Sequence, residues 1–206
     1  MPKKSQKISG DWFQALTEDH CSILKRAFES YLIWESFGDL IRDVRRGHLE
    51  YPRVFFFQPF TLAVVGAAFD SFIINLYKFH DNRSYELETL VDVGVKHGGI
   101  EPSLGLKLNA QIKDAASFAA KKNIDSLRNR SIGHYDAMAE RRSALTTVHP
   151  TSKEIRDYFE KLGAILRVCA AHARFHRLPL QYNQSEKGIR DISKIFTQYI
   201  RGEKVS

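Results

Sequence analysis

The stretch Val54-Phe55-Phe56-Phe57-Gln58-Pro59-Phe60-Thr61-Leu62-Ala63-Val64-Val65-Gly66-Ala67-Ala68-Phe69-Asp70-Ser71-Phe72-Ile73-Ile74-Asn75-Leu76-Tyr77 decides the fold, because it admits two readings. It is apolar almost throughout and long enough to cross a bilayer, which takes about 20 residues. Its interruptions argue against a span. Gln58 and Pro59 break its start, and Asp70 and Asn75 lie inside it. An ionised aspartate at mid-bilayer costs on the order of several kcal/mol. The stretch therefore reads as a helix buried on most sides by its neighbours, in a chain with no membrane partner. Pro59 suits the first helical position, where a missing N–H has no intrahelical use, and the helix is expected to run to about Phe79. Ala63, Gly66, Ala67 and Ala68 permit close helix approach, and the helix is apolar enough to serve a dimer interface as well.

Outward from it, the turn signals divide the chain into further helical patterns, and nothing reads as alternating strands. Upstream, a first helix is expected from about Trp12 to Arg46, with Phe13, Leu16, Ile23, Leu24, Ala27, Phe28, Tyr31, Leu32, Trp34 and Phe37 as its apolar face. Gly47 is its stop, with Arg42, Arg45 and Arg46 suited to the negative end of the helix dipole. Downstream, His80-Asp81-Asn82-Arg83-Ser84 reads as a turn, and Leu87, Leu90 and Val91 as one side of a short helix ending before Gly98-Gly99.

Pro102 and Ser103 open the next pattern, which runs from about Leu104 to Gly133 with Leu108, Ile112, Ala115, Ala116, Ala119, Ile124, Leu127 and Ile132 inward. After a polar connection from Ala137 to Pro150, Thr151 and Glu154 have the spacing of a capping box. Ile155, Tyr158, Phe159, Leu162, Ile165, Leu166 and Cys169 mark the buried stripe that follows. Pro179 ends that region, and Ile189, Ile192, Ile195, Phe196, Tyr199 and Ile200 indicate a last amphipathic helix. The expected fold is all-α: one domain over residues 1–206, with residues 1–10 as a flexible tail, built as an antiparallel bundle of four to five main helices with short extra ones.

Composition narrows the class further. The 206 residues carry 31 basic and 24 acidic side chains, a net charge of +7, which favours phosphate-bearing or acidic partners and equally fits a plain soluble surface. Cys21 and Cys169 form no Cys-x-x-Cys pattern, so neither a disulfide framework nor a thiolate metal knuckle is indicated, and a reducing, cytoplasmic setting fits. The basic start Met1-Pro2-Lys3-Lys4-Ser5-Gln6-Lys7 lacks the apolar run of a secretion signal. His172 and His176 share one helix face, but no adjacent glutamate makes the His-Glu-x-x-His pattern, so no metal is expected. Gly98-Gly99 lacks the strand-glycine-helix context of a phosphate loop. Asp70 and Asn75 read as hydrogen-bonded interface groups.

The chemistry concentrates in Leu127-Arg128-Asn129-Arg130-Ser131-Ile132-Gly133-His134-Tyr135-Asp136. An arginine five to seven positions before a histidine occurs four times, as Arg42 with His48, Arg128 with His134, Arg142 with His149 and Arg167 with His172. Only the second has Asn129 after the arginine, Gly133 before the histidine and Asp136 after it. This segment resembles the signature of HEPN domains, in which an arginine and a following polar residue precede a histidine near a helix end. It is most similar to the AbiU-like, abortive-infection branch. Upstream, Leu76-Tyr77-Lys78-Phe79-His80-Asp81 with Ser84 and Leu87 resembles that branch's helix end and turn. Some related toxins have a tyrosine two positions after the histidine; here Tyr135 is adjacent and Asp136 takes that place, so regulation through a modified tyrosine is not implied.

The resemblance implies a homodimer whose two motifs face a shared cleft and cleave RNA without a metal or other cofactor. His134 is then the general base for a ribose 2′-hydroxyl, Arg128 the ligand of the scissile phosphate, and Asn129 the amide that orients either. Arg130 and Tyr135 are further substrate-binding candidates. Six residues separate Arg128 from His134 by about 240° and about 9 Å on a straight helix, so the helix bends at Gly133 or a second chain completes the site. Arg130, four residues before His134, is the rival phosphate ligand.

The implied function is a metal-independent endoribonuclease of a toxin–antitoxin or phage-defence system, held in check by an antitoxin or other inhibitory protein. The alternative from another class is a catalytically silent helical module for dimerisation or nucleic-acid binding, with the two arginines neutralising a helix C-terminus and His134 capping it. A nucleotide-binding regulator is a third reading.

Overall fold

The computed structural model describes residues 10–45, 54–79, 86–121, 151–173 and 182–201. These residues form six helices and no strands: α1 (Gly10–Arg45), α2 (Val54–Tyr77), α3 (Leu87–His97), α4 (Pro102–Lys121), α5 (Ser152–His172) and α6 (Tyr182–Arg201). The all-α expectation therefore holds for them. No helix among the described residues is long and apolar enough to cross a membrane.

α1 is the spine, packed against α2, α3, α5 and α6, while α4 rests on α3 and α5. Phe13, Ile23, Leu24, Ala27, Phe28, Tyr31, Leu32 and Phe37 are all buried, as their spacing predicts. The buried Thr17 and His20 of α1 each bond to a carbonyl of their own helix. Thr17 Oγ1 donates to the Phe13 carbonyl at 2.7 Å. The fully buried His20 lies with Nδ1 2.7 Å from the Leu16 carbonyl. A carbonyl only accepts, so the ring carries its proton at Nδ1 in that bond.

α1 and α2 run antiparallel: Trp34 meets Phe69 at 5.7 Å, Tyr31 meets Phe72 at 5.6 Å, and His20 meets Phe79 at 6.1 Å between ring centroids. Phe159 of α5 joins this aromatic centre, 5.1 Å from Phe28 and edge-on to it. Fully burying one such ring contributes about 1.5–3 kcal/mol. α4 and α5 are antiparallel as well, with Phe118 stacked on Tyr158 at 5.0 Å and Lys161 Nζ 2.6 Å from Asp114 Oδ2.

The start of α2 differs from expectation. Pro59 does not open the helix, which begins at Val54. A proline in the second turn removes a single ladder bond, so it marks a helix start only to within about a turn.

Two other boundaries fall where the residues place them. Thr151 Oγ1 accepts from the Glu154 N–H at 3.2 Å while Glu154 Oε2 accepts from the Thr151 N–H at 2.7 Å, a complete capping box. α3 stops at Gly98-Gly99. The Gly98 and Ile100 N–H groups both donate to the Gly94 carbonyl, at 2.8 and 3.1 Å. Gly99 takes a φ of 73°, in the left-handed region. The absence of a side chain at Gly94 and Gly98 makes room for the Phe13 ring, which lies where a Cβ on either would stand.

Candidate functional site

The residues singled out by sequence, Arg128, Asn129, Arg130, His134 and Tyr135, lie outside the described residues, as do Gly133 and Asp136. What the structure does give is the frame to which their segment is attached. Because α4 and α5 are antiparallel, Phe118 near the end of α4 sits beside Tyr158 near the start of α5. Lys121 and Thr151, the described residues that flank 122–150, therefore belong to the same end of the helical assembly.

That end carries a polar cluster which sequence reasoning missed. Tyr31 of α1 donates through its hydroxyl to Glu35 Oε1 at 2.6 Å and lies 3.3 Å from the Ser152 carbonyl. Arg156 of α5 donates from Nη2 to Glu35 Oε2 at 2.7 Å and from Nη1 to Glu186 Oε1 of α6 at 3.2 Å. Arg190 also donates to Glu186, at 2.6 Å from Nη2. The Arg156 guanidinium stands 5.8 Å from the centre of the Tyr31 ring.

The titration behaviour of the cluster follows from these contacts. Burial pushes the Tyr31 phenol up and the carboxylate it bonds adds to this, bringing it to about 12. Burial works to raise Glu35, but the hydrogen bonds from Tyr31 and Arg156 and the charge of Arg156 outweigh it, so the carboxyl lies below its ordinary value. Burial likewise disfavours the Arg156 cation, and the bond and charge of Glu35 more than offset that. Every shift holds its group in the protonation state it already has at neutral pH. Such a cluster clamps α1, α5 and α6 together; it is not tuned to exchange protons, and Arg156, already bound by two carboxylates, is no free phosphate ligand.

The other candidate groups are structural in character. Asn75 is buried, with Nδ2 donating to the Ser71 carbonyl at 2.8 Å and Oδ1 accepting from Lys78 Nζ at 3.2 Å, and Ser71 Oγ lies 2.9 Å from Ser30 Oγ of α1. Asn75 is thus hydrogen-bonded, as expected, but within its own stretch of chain, and it is Ser71 that carries the bond to α1. Cys21 and Cys169 are free thiols in the core. Burial pushes both up to about 12, with Cys169 adding to the rise at Cys21, so neither is an effective nucleophile near neutral pH. Among the described residues no group of three or more His, Cys, Asp and Glu is placed to hold a metal ion. His172 is half-buried at the end of α5, and His176 lies outside the described residues.

In the upstream element of the resemblance, Leu76, Phe79 and Leu87 are core residues, and His80, Asp81 and Ser84 lie outside the described residues. No protein-family model, curated protein or solved structure matches the chain.

Arg156 and Glu35 were missed because the residues that meet are 121 positions apart. One local signal exists: Glu35 follows Tyr31 by one helical turn on an otherwise apolar face, and a carboxylate there needs a cation.

Proposed function

We propose that the chain is a HEPN-like, metal-independent endoribonuclease of a toxin–antitoxin or phage-defence system. Its helices form an antiparallel bundle that dimerises around a shared cleft. One observation carries the reading: the segment Arg128-Asn129 to Gly133-His134 and Asp136, whose composition separates it from the three other arginine–histidine spacings in the chain. The all-helical described residues and the net charge of +7 are compatible with it.

In this mechanism His134 takes the proton of a ribose 2′-hydroxyl, whose oxygen attacks the adjacent phosphorus as the bond from phosphorus to the 5′-oxygen breaks; the departing 5′-oxygen takes up a proton, leaving a 2′,3′-cyclic phosphate and a 5′-hydroxyl. Arg128, supported by Arg130, opposes the charge that grows on the phosphate oxygens. Asn129 orients the phosphate or the imidazole, and Tyr135 contacts the substrate. Charge on the RNA backbone supplies sequence-independent attraction to a basic surface. A cytoplasmic location and control by an inhibitory protein complete the proposal.

The test is cleavage of RNA in the presence of a chelator by the wild-type chain and by His134→Ala, with circular dichroism establishing that both fold. Loss of on the order of 10²–10⁴-fold in rate is expected for the variant. Equal cleavage by the two ends the catalytic role of His134. Salt-sensitive RNA binding with no product from the wild type favours the silent-module reading instead.

A further inference from the structure

The two cysteines of the chain stand on the seam where α1 meets α5. On α1, Cys21, Leu24, Phe28 and Tyr31 follow one another at alternating steps of three and four residues, and on α5 Phe159, Leu162, Leu166 and Cys169 do the same. Such a series keeps to one side of a helix, and every member of both is buried. Contacts set the register between them. Glu35 meets Arg156, Tyr31 lies beside the Ser152 carbonyl, and the Phe159 ring stands 5.7 Å from Tyr31 and 5.1 Å from Phe28. α1 and α5 are therefore antiparallel. Seven residues is about two helical turns, so Leu166 takes the same place beside Leu24 and Cys21 that Phe159 holds beside Tyr31 and Phe28. Cys169, the next residue of the α5 series, then comes directly beside Cys21, with no member of either series between them. In keeping with this, the charge of an ionised Cys169 opposes ionisation of Cys21.

We infer that Cys21 and Cys169 are a redox pair that joins α1 to α5 through a disulfide when the protein meets a peroxide. In the closed fold both thiols are buried and protonated, so the pair reacts only from an opening of the seam that lets one of them ionise. That thiolate attacks the peroxide and breaks its O–O bond, becoming a sulfenic acid, and the departing hydroxide takes up the released proton as water. The second thiolate attacks the sulfenic sulfur, the S–S bond forms, and the sulfenic oxygen leaves as a second water. Two thiols thus lose two electrons and two protons, and one hydrogen peroxide becomes two waters.

The loop closed by this bond contains α2, α3, α4 and residues 127–136, and leaves α6 outside. Closing so long a loop restricts the unfolded chain, so the oxidised protein is the more stable form. The pair stands whether or not the chain cuts RNA, because its readout is thiol state and melting temperature rather than product.

The full chain has no other cysteine, so its thiols report the pair alone. The reduced wild type, freed of reductant, is exposed to hydrogen peroxide, then denatured and alkylated. The expected product is a single chain lighter by two hydrogens, with neither sulfur alkylated and the peptides of Cys21 and Cys169 joined after proteolysis. Its melting temperature should lie on the order of 10 °C above that of the reduced form and return on addition of dithiothreitol. Cys21→Ala and Cys169→Ala, each folded by circular dichroism, should show no such rise. Alkylation of both thiols after exposure overturns the inference, as does oxidation that ends in a sulfinic acid or links two chains instead. A cross-linked chain that melts no higher than the reduced one shows that the bond does not fit the native seam, and an equal rise in either alanine variant assigns the effect to another oxidation. Either outcome refutes the pair.

Discussion

Glu35 is a carboxylate set among aromatic side chains, and its neighbours decide what it does. With side-chain exposures of 17% for Glu35 and 32% for Arg156, the pair is protected enough from water for its loss to matter. Arg156→Ala leaves the carboxylate with its hydrogen bonds from Tyr31 and Ser152 but without its cation, and should destabilise the fold by about 1–3 kcal/mol. Glu35→Ala combined with Arg156→Ala should lose less than the sum of the two single changes, since the second removes a partner already gone. The pH dependence has a definite sign. Glu35 titrates below its ordinary 4.5 in the folded state, so its stabilisation is present above that value and lost as pH falls through the folded one. Tyr31 moves from 10.0 to about 12, so its contribution is present below 10.0 and lost as pH rises toward the folded value. Urea midpoints measured against pH should therefore show a flatter acid limb for Glu35→Gln. An unchanged limb would mean the carboxylate owes nothing to its partners. None of this was legible in the sequence beyond the oddity of the residue itself, because its cation arrives from a helix 121 positions away.

Among the elements, periodicity and caps were read well where the signal is local. The capping box of Thr151 and Glu154 and the stripe Ile155 to Cys169 depend on residues within a turn or two of one another, and all are where the spacing puts them. The start of α2 and the sidedness of α6 were not. Pro59 restricts only its own turn, and on α6, which packs against α1, Ile192 and Ile195 stay exposed although they belong to the apolar stripe. Glycines separate the two kinds of constraint. At Gly98 an alanine methyl meets the Phe13 ring and at Gly99 the backbone is left-handed, so Gly98→Ala should cost about 1–3 kcal/mol and Gly99→Ala about 1–2 kcal/mol. Gly66 lies inside α2 with open space around it, and Gly66→Ala should instead stabilise by up to about 1 kcal/mol. Thermal melts of the three variants check the signs. A neutral Gly98→Ala would mean that α3 and the ring of Phe13 are free to separate.

For the whole molecule, the question is whether one chain holds a complete site. The residue types of the proposed site stand together in sequence at 127–136, but a spacing of six residues on a straight helix is a rotation of about 240°, which leaves Arg128 and His134 pointing about 120° apart, so the proposed site needs assembly or a bend to unite them. The described residues that flank the segment, Lys121 and Thr151, lie at one end of the helices, and the Tyr31, Glu35, Arg156 and Glu186 clamp holds the α5 side of that end. A composite site makes a prediction that a self-contained one does not. If Arg128 of one protomer works with His134 of the other, chains carrying Arg128→Ala and chains carrying His134→Ala are each inactive alone. When the two are mixed and allowed to exchange, half of the dimers are mixed, and each mixed dimer regains one intact site of two. The mixture should therefore recover about a quarter of the wild-type cleavage rate. Recovery should follow subunit exchange in time and vanish under conditions that keep the protein monomeric. If each chain instead folds its own arginine and histidine together by bending at Gly133, every site in the mixture lacks one of the two groups. No activity then returns, however long the chains are mixed.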